Sequence, residues 1–409
     1  MIAAFVLALL AFAGLCPVLA ADNGPVQPAA GSLGGIKTVR LVVNAKDMGG
    51  DDMKRTITSF TGRVLQYGGV SLTDGASDAV LTMDTEGFTR SASYAKSSPP
   101  GYAPDAAPRS TAYQLATGAD LRGTLALQKD GKIVAQYPIA GSISPPKYVE
   151  MSSASVPYYD ALMGSTWLQS LFKLVWAVKG TDALIAALED THPDIVEGAI
   201  EALGGTGDPR VPALLCERIK GDSLWDRDEV IFALGQTGDP RAIDCIGESL
   251  HSRDFAPMAA GALAKIKDPR AIDKLGGVLR DMNPSFVDFQ LIPVAVVHAL
   301  GTTGDPSAVE PLMIGLKKCR VNWGPDGELV DAICDALVAI GKPAVEPLAA
   351  ALASESSKPF LLSGVRALGR IGDPRALEIL DEIAKKDEDL TVHDAAKEAA
   401  ARIRSGKTE

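Results

Sequence analysis

Four histidines, His192, His251, His298 and His393, and four cysteines beyond residue 20, Cys216, Cys245, Cys319 and Cys334, are the side chains from which a metal site or a strong nucleophile would be built. Their spacing does not build one. An HExxH helix would aim two imidazoles at one zinc ion and paired CxxC steps would do the same with thiolates, and neither pattern occurs. The glycines fall in no GxxxxGK phosphate loop, and Ser165 after Gly164 is not the serine of a GxSxG elbow. On this reading no residue is catalytic, no metal or cofactor is implied, and the chain is expected not to be an enzyme. A lone cysteine inside a helix acts as a small hydrophobe, which is the reading for all four; a Cys319–Cys334 bridge stays open in an oxidising compartment.

The remaining chemistry is recognition, and a recurring phrase arranges it. Ala202-Leu203-Gly204-Gly205-Thr206-Gly207-Asp208-Pro209-Arg210 returns as Ala233 to Arg241, Ala262 to Arg270, Ala299 to Pro306, Ala336 to Pro343 and Ala367 to Arg375. From proline to proline the steps are 31, 29, 37, 37 and 31 residues, a period that belongs to stacked repeats. Each phrase reads as a joint between helices. Gly204, Gly235, Gly301 and Gly369 suit a left-handed cap that ends one helix, while Asp as N-cap and Pro at the first turn start the next.

Eight residues before the prolines stand Glu201, Phe232, Gly261, His298, Asp335 and Arg366, and four earlier stand Glu197, Asp228, Pro257, Val294, Asp331 and Leu362. Residues four apart share a helix face, so the two columns form one strip across the stacked units. The candidate partner-binding residues are therefore Glu197, Glu201, Asp228, Phe232, His298, Asp331, Asp335 and Arg366, with Trp323 added from its Gly/Pro/Asp turn. An aromatic among acids resembles a protein-binding anchor, and the acids call for a protein or peptide, a basic one being the natural complement. The plainer alternative is that the strip is only a solvated face and that Trp323 folds back on its own repeat.

The phrase looks like the HEAT-like repeats called PBS-lyase repeats, over roughly residues 180–405. The resemblance implies two antiparallel helices per unit, with the second helices lining a concave side. The family often has Arg in the earlier column, where this chain has Glu197, Asp228 and Asp331. By its name the family also implies an alternative, a bilin lyase or isomerase cradling a tetrapyrrole on that face. A further alternative is an envelope assembly factor acting through the N-terminal domain.

Taken in order, residues 1–20 are uncharged and apolar with Val18 and Ala20 before a possible cleavage point, the pattern of a secretory signal. An exported chain, periplasmic or extracellular, is expected, with Cys16 a weaker candidate for a lipid anchor. Residues 21–35 read as a flexible leader and 36–145 as a small α+β domain, one helix over an antiparallel sheet. Its clearest mark is Lys129-Asp130-Gly131-Lys132 between alternating runs, a tight hairpin. Short strands are expected around Ala79–Met83, Arg90–Tyr94 and Tyr113–Leu115, and a Pro-rich loop, 97–109, splits the sheet. Residues 146–180 hold a linker and an apolar helix that either caps the solenoid or glues the domains together. Residues 181–405 follow as an α-solenoid of about seven HEAT-like helix pairs.

Residues 21–150 carry 13 basic and 12 acidic side chains, and the rest of the chain 27 and 39. That acidity argues against nucleic acid as partner. No stretch beyond residue 20 is apolar enough to span a membrane.

Overall fold

The computed structural model describes residues 27–46, 51–92, 116–143, 166–221, 226–282, 291–319, 327–354, 357–386 and 390–406. The expected signal, the 97–109 loop, the linker up to residue 165, the strand around Tyr113–Leu115 and the turn holding Trp323 lie outside them. The chain divides into two compact units, Met1–Gly198 and Ala199–Glu409.

The first unit is built on five strands: β1 (Thr38–Lys46), β2 (Ser71–Leu72), β3 (Ala79–Ala92), β4 (Ala116–Lys129) and β5 (Lys132–Ile143). The alternation Val39, Leu81, Met83, Leu125, Leu127, Tyr137 and Ile139 buries one face. Helix α1 (Asp51–Tyr67) supplies Ile57, Val64 and Leu65 to the core. The strand order is β2-β1-β3-β4-β5. The expected antiparallel sheet is in fact mixed: β1 runs parallel to β2 and β3, because α1 carries the chain back to the same end before the next strand begins. The runs expected as separate strands near residues 79–83 and 90–94 are the single strand β3, held by continuous antiparallel pairing from Val80 to Ala92. The hairpin stands as expected, with Asp130 at φ 51° and Gly131 at φ 73°, the two left-handed residues of a tight turn.

Helix α2 (Trp167–Lys179) has Trp167, Leu168, Leu171, Phe172, Leu174, Val175, Ala177 and Val178 buried, as its apolar circumference demands. Within this unit it packs on α1, on β5 and on α3 (Thr181–Ala187), while Leu168 and Phe172 lie against Gly198. The stretch read as a flexible leader meets it too: the Gly31 N–H donates to the Trp176 carbonyl, which also accepts the Gly180 N–H, and the Leu33 N–H donates to the Ala177 carbonyl at the helix end.

The same unit contains a polar tie. Asp190, its side chain 2% exposed, accepts from Arg63 Nε at 3.0 Å and Nη2 at 2.5 Å, from the Tyr67 hydroxyl at 2.5 Å and from the His192 N–H at 2.8 Å. Arg63 and Tyr67 are four apart on α1, so both reach one carboxylate. Burial pushes this carboxyl up, but the bonds from Tyr67, His192 and Arg63 outweigh it and hold it below the usual carboxylate range.

After α4 (Pro193–Gly204) the helices pair as α5 (Val211–Ile219) with α6 (Arg227–Thr237), α7 (Ile243–Glu248) with α8 (Ala256–Lys265), and α9 (Pro269–Asp281) with α10 (Leu291–Thr303). Then come α11 (Val309–Cys319) with α12 (Gly327–Ile340), α13 (Val345–Ala353) with α14 (Lys358–Ile371), and α15 (Leu377–Lys386) with α16 (Leu390–Arg404). The second helices α6, α8, α10, α12, α14 and α16 stack on one another in sequence.

The glycine after Ala-Leu is not the cap it was read as. Gly204, Gly235 and Gly369 are buried inside their helices, where a Cβ would meet Ala233, Ala262 and Ala399 of the next second helix at 2.8 Å; at Gly301 it would meet Ala336 at 2.9 Å. These glycines let neighbouring backbones touch. The left-handed residue is the later glycine, Gly207, Gly238, Gly304, Gly341 and Gly372, with φ of 68°, 62°, 61°, 82° and 72°. Between the two glycines, Thr206, Thr237 and Thr303 donate their hydroxyls to the Leu203, Leu234 and Leu300 carbonyls and so close the helix end. Aspartate then caps: Asp208, Asp239, Asp268, Asp305 and Asp373 each accept the N–H two residues on. Such a cap contributes about 1 kcal/mol.

Cys216 on α5 and Cys245 on α7 form a disulfide across successive units, 29 residues apart, and correct the reading of both as simple hydrophobes. The separation matches the repeat step, which brings equivalent faces of first helices together. Cys319 and Cys334 are buried thiols rather than the bridge left open above.

Candidate functional site

The second helices carry the candidate strip, and the structure shows what each residue of it touches. Phe232 on α6 is half-buried, with the Lys265 ammonium of α8 4.4 Å from its ring centroid. Asp335 on α12 is paired with Arg370 of α14, and Asp331 with the Ser363 hydroxyl of the same helix. Glu197 and Glu201 are half-buried and take part in polar contacts of their own. Asp228 is exposed, and its carboxyl is held above the usual range, first by partial loss of water and then by the charge of Asp254. His298 and Arg366 are exposed, with no hydrogen bond or ion pair among the described residues. Trp323 lies outside those residues.

The strip therefore has two parts. Phe232, Asp331 and Asp335 tie their helix to the next, while Asp228, His298 and Arg366 face solvent. Two of the three ties follow one rule. A residue eight before its proline, Phe232 or Asp335, engages the residue four before the next proline, Lys265 or Arg370. Sequence reasoning missed Lys265, Ser363 and Arg370, although the same alignment on the proline would have placed two of them in a third column. Burial lowers the Lys265 amine. It also pushes the Cys334 thiol, flanked by Asp331 and Asp335, up to about 12.

The arginine of the repeated phrase was also passed over. Arg210, Arg241, Arg270 and Arg375 each fold back on the capping aspartate of their own joint. Two of them reach the preceding unit, Arg241 donating to the Pro209 carbonyl at 2.9 Å and Arg375 to the Lys342 carbonyl at 3.0 Å and to Glu346 at 2.8 Å. The bond from Arg241 is the main reason the Asp239 carboxyl sits below its ordinary range. Recurrence was the available signal: a cation held at one place in four joints has a common task.

The histidines stay apart. Among the described residues no group of three His, Cys, Asp or Glu side chains could hold a metal ion, and no helix is long and apolar enough to cross a membrane.

Comparison with known proteins agrees with the repeat architecture. The model for PBS lyase HEAT-like repeats matches residues 226–251 and 258–281, and that for HEAT repeats matches 321–401. The C-terminal half is thus a solenoid of HEAT-like pairs. No curated protein sequence matches the chain. Solved structures similar to it include the following three. Human deoxyhypusine hydroxylase is 22% identical over 55% of this chain and 96% of its own, with a TM-score of 0.27. The CpcE–CpcF complex of phycocyanin lyase from Nostoc sp. PCC7120 is 19% identical over 55% and 94%, with a TM-score of 0.31. An engineered protein is 16% identical over 56% and 98%, with a TM-score of 0.23. The matched repeats are those named for a lyase, and this family match overturns the expectation that the chain is not an enzyme.

Proposed function

We propose that the chain is an exported HEAT-repeat protein that recognises a protein or peptide along its second helices. The observation that carries this reading is the glycine-to-alanine contact between successive second helices, at which a Cβ would come within 2.8 to 2.9 Å of the next helix. Helices that close present the outward side chains of each unit from a fixed register, and a preformed row binds an extended partner at low ordering cost. Asp228 with Asp254 makes one part of the row acidic and Arg366 makes another basic, so the partner carries basic groups at one end. Export is supported by the apolar run at residues 1–20 and by the Cys216–Cys245 disulfide, a bond that persists in oxidising compartments.

The test is affinity capture from an envelope extract with the chain beginning at residue 21, beside an Asp228→Asn, His298→Ala, Arg366→Ala triple variant. These three positions leave the ties between helices in place. Loss of a partner held by the parent supports the reading, and equal capture moves recognition away from this row. A second reading rests on the match to PBS lyase HEAT-like repeats, under which the row holds a bilin. It is checked by incubating the purified chain with a bilin and following the absorbance, where an unshifted, fully removable band excludes it.

A further inference from the structure

We infer that the outer edge of β1, from Leu41 to Ala45, is a docking site for an extended peptide bearing carboxylates, which joins the sheet as an added strand. The two edges of this sheet are treated differently. At β5, Pro138 has no N–H to offer, and its carbonyl accepts from Thr166 Oγ1 at 3.1 Å. Ala140 is occupied on both sides, its N–H donating to Thr166 Oγ1 at 3.0 Å and its carbonyl accepting the Thr166 N–H at 3.0 Å. That edge is closed to pairing at Pro138 and Ala140.

The β1 edge is shielded only at its start, where β2 pairs with Thr38 and Val39. From Arg40 to Lys46, β1 keeps β3 on its inner side and has no strand on the other among the described residues. The direction of its free groups follows from the bonds upstream. Ser71 and Thr73 donate to the carbonyls of Lys37 and Val39, so odd-numbered residues face outward, and the two-residue alternation places the N–H and C=O groups of Leu41, Val43 and Ala45 on that side. Three alternate residues whose outward donors and acceptors have no backbone partner among the described residues are a template for strand addition.

Charge selects the occupant. β1 contains Arg40 and Lys46 and no acid. A second copy pairing antiparallel about Val43 would set Arg40 opposite Lys46, and like charges directly opposite destabilise a ladder. Arg40 neighbours the uncharged Val80 in the sheet and is exposed, so Arg40 is the cation offered to an incoming carboxylate. No residue of the second helices enters this edge, and its test stands or falls separately from that of the helix row.

The probe is a fluorescein-labelled seven-residue peptide of alternating valine and threonine with a glutamate at each end, titrated with the full chain. Saturable anisotropy is expected, with slowed amide exchange at Leu41, Val43 and Ala45. Val43→Pro deletes one outward N–H while leaving the β3 ladder, and should weaken binding about tenfold or more, whereas Val43→Thr should retain it. Arg40→Glu should weaken it as well. Circular dichroism checks that Val43→Pro folds; if it does not, Arg40→Glu against Val43→Thr decides. Absence of saturation, or equal affinity across these variants, overturns the inference. So does protection of the three amides in the free monomer, which would mean the chain covers its own edge, or a concentration-dependent dimer in light scattering that Val43→Thr keeps and Arg40→Glu strengthens.

Discussion

Gly235 of one second helix lies directly against Ala262 of the next, with only 2.8 Å between the Ala262 Cα and the place a Cβ would occupy on Gly235. The neighbour there is backbone, which cannot swing aside. Gly235→Ala should therefore cost about 1–3 kcal/mol by overpacking, read from the midpoint of urea unfolding. Gly261 is the contrast, an exposed glycine of α8 with nothing within 4 Å of such a Cβ. Gly261→Ala should stabilise by about 0.5–1 kcal/mol, since only the helical preference of alanine changes.

The disulfide between Cys216 and Cys245 joins first helices of neighbouring units. A cross-link closing a loop of that size restricts the unfolded chain by about 3.6 kcal/mol. The Cys216→Ser, Cys245→Ser double variant should melt at a lower temperature, and reductant should lower the melting temperature of the parent but not of the variant. Thiol titration of the unfolded, unreduced chain from residue 21 should find only Cys319 and Cys334.

The period of the phrase and the type of every repeat helix were legible because local rules and packing agree there: Asp caps, Pro starts, and Ala-Leu is buried in each copy. The role of Gly204 and its equivalents was not, since a glycine near a helix end satisfies both the left-handed cap and the close approach, and only the position of the neighbouring helix separates them. The Cys216–Cys245 bond needed two units to be laid side by side. The parallel course of β1 was hidden for a related reason, because alternation gives a strand its faces but not its direction. Of the strip, the sequence located the column but not its division. Whether Asp335 faces water or Arg370 depends on the offset between helices from neighbouring units.

Asp190 makes stability depend on acid. Its carboxyl is held below the usual range in the folded chain, so the stabilisation is fully present above the unfolded carboxylate value of about 3.9 and is lost as pH falls through the lower folded value. The capping carboxyls Asp239, Asp268, Asp305 and Asp373 shift the same way. Melting temperature should be flat from pH 7 to about 5 and fall steeply below 4. Asp190→Asn keeps the shape but not the charge facing Arg63. It should cost about 2–3 kcal/mol at pH 7 and show a shallower acid slope than the parent.

The tie between Asp335 and Arg370 gives the sharpest division of the strip into structure and recognition. Both side chains are substantially exposed, at 57% and 42%, so solvent screens the pair and its coupling should be about 0.5 kcal/mol in a double-mutant cycle of Asp335→Asn with Arg370→Ala. That coupling should shrink as salt is raised, because water reaches both partners. Arg366, four residues earlier on the same helix, has no such tie, and Arg366→Ala should leave unfolding within about 0.5 kcal/mol of the parent. A captured partner should respond in the opposite order, released by Arg366→Ala and retained by Asp335→Asn. If Asp335→Asn instead releases the partner while Arg366→Ala holds it, the pair with Arg370 opens on binding and the acids of the second helices are themselves the contact.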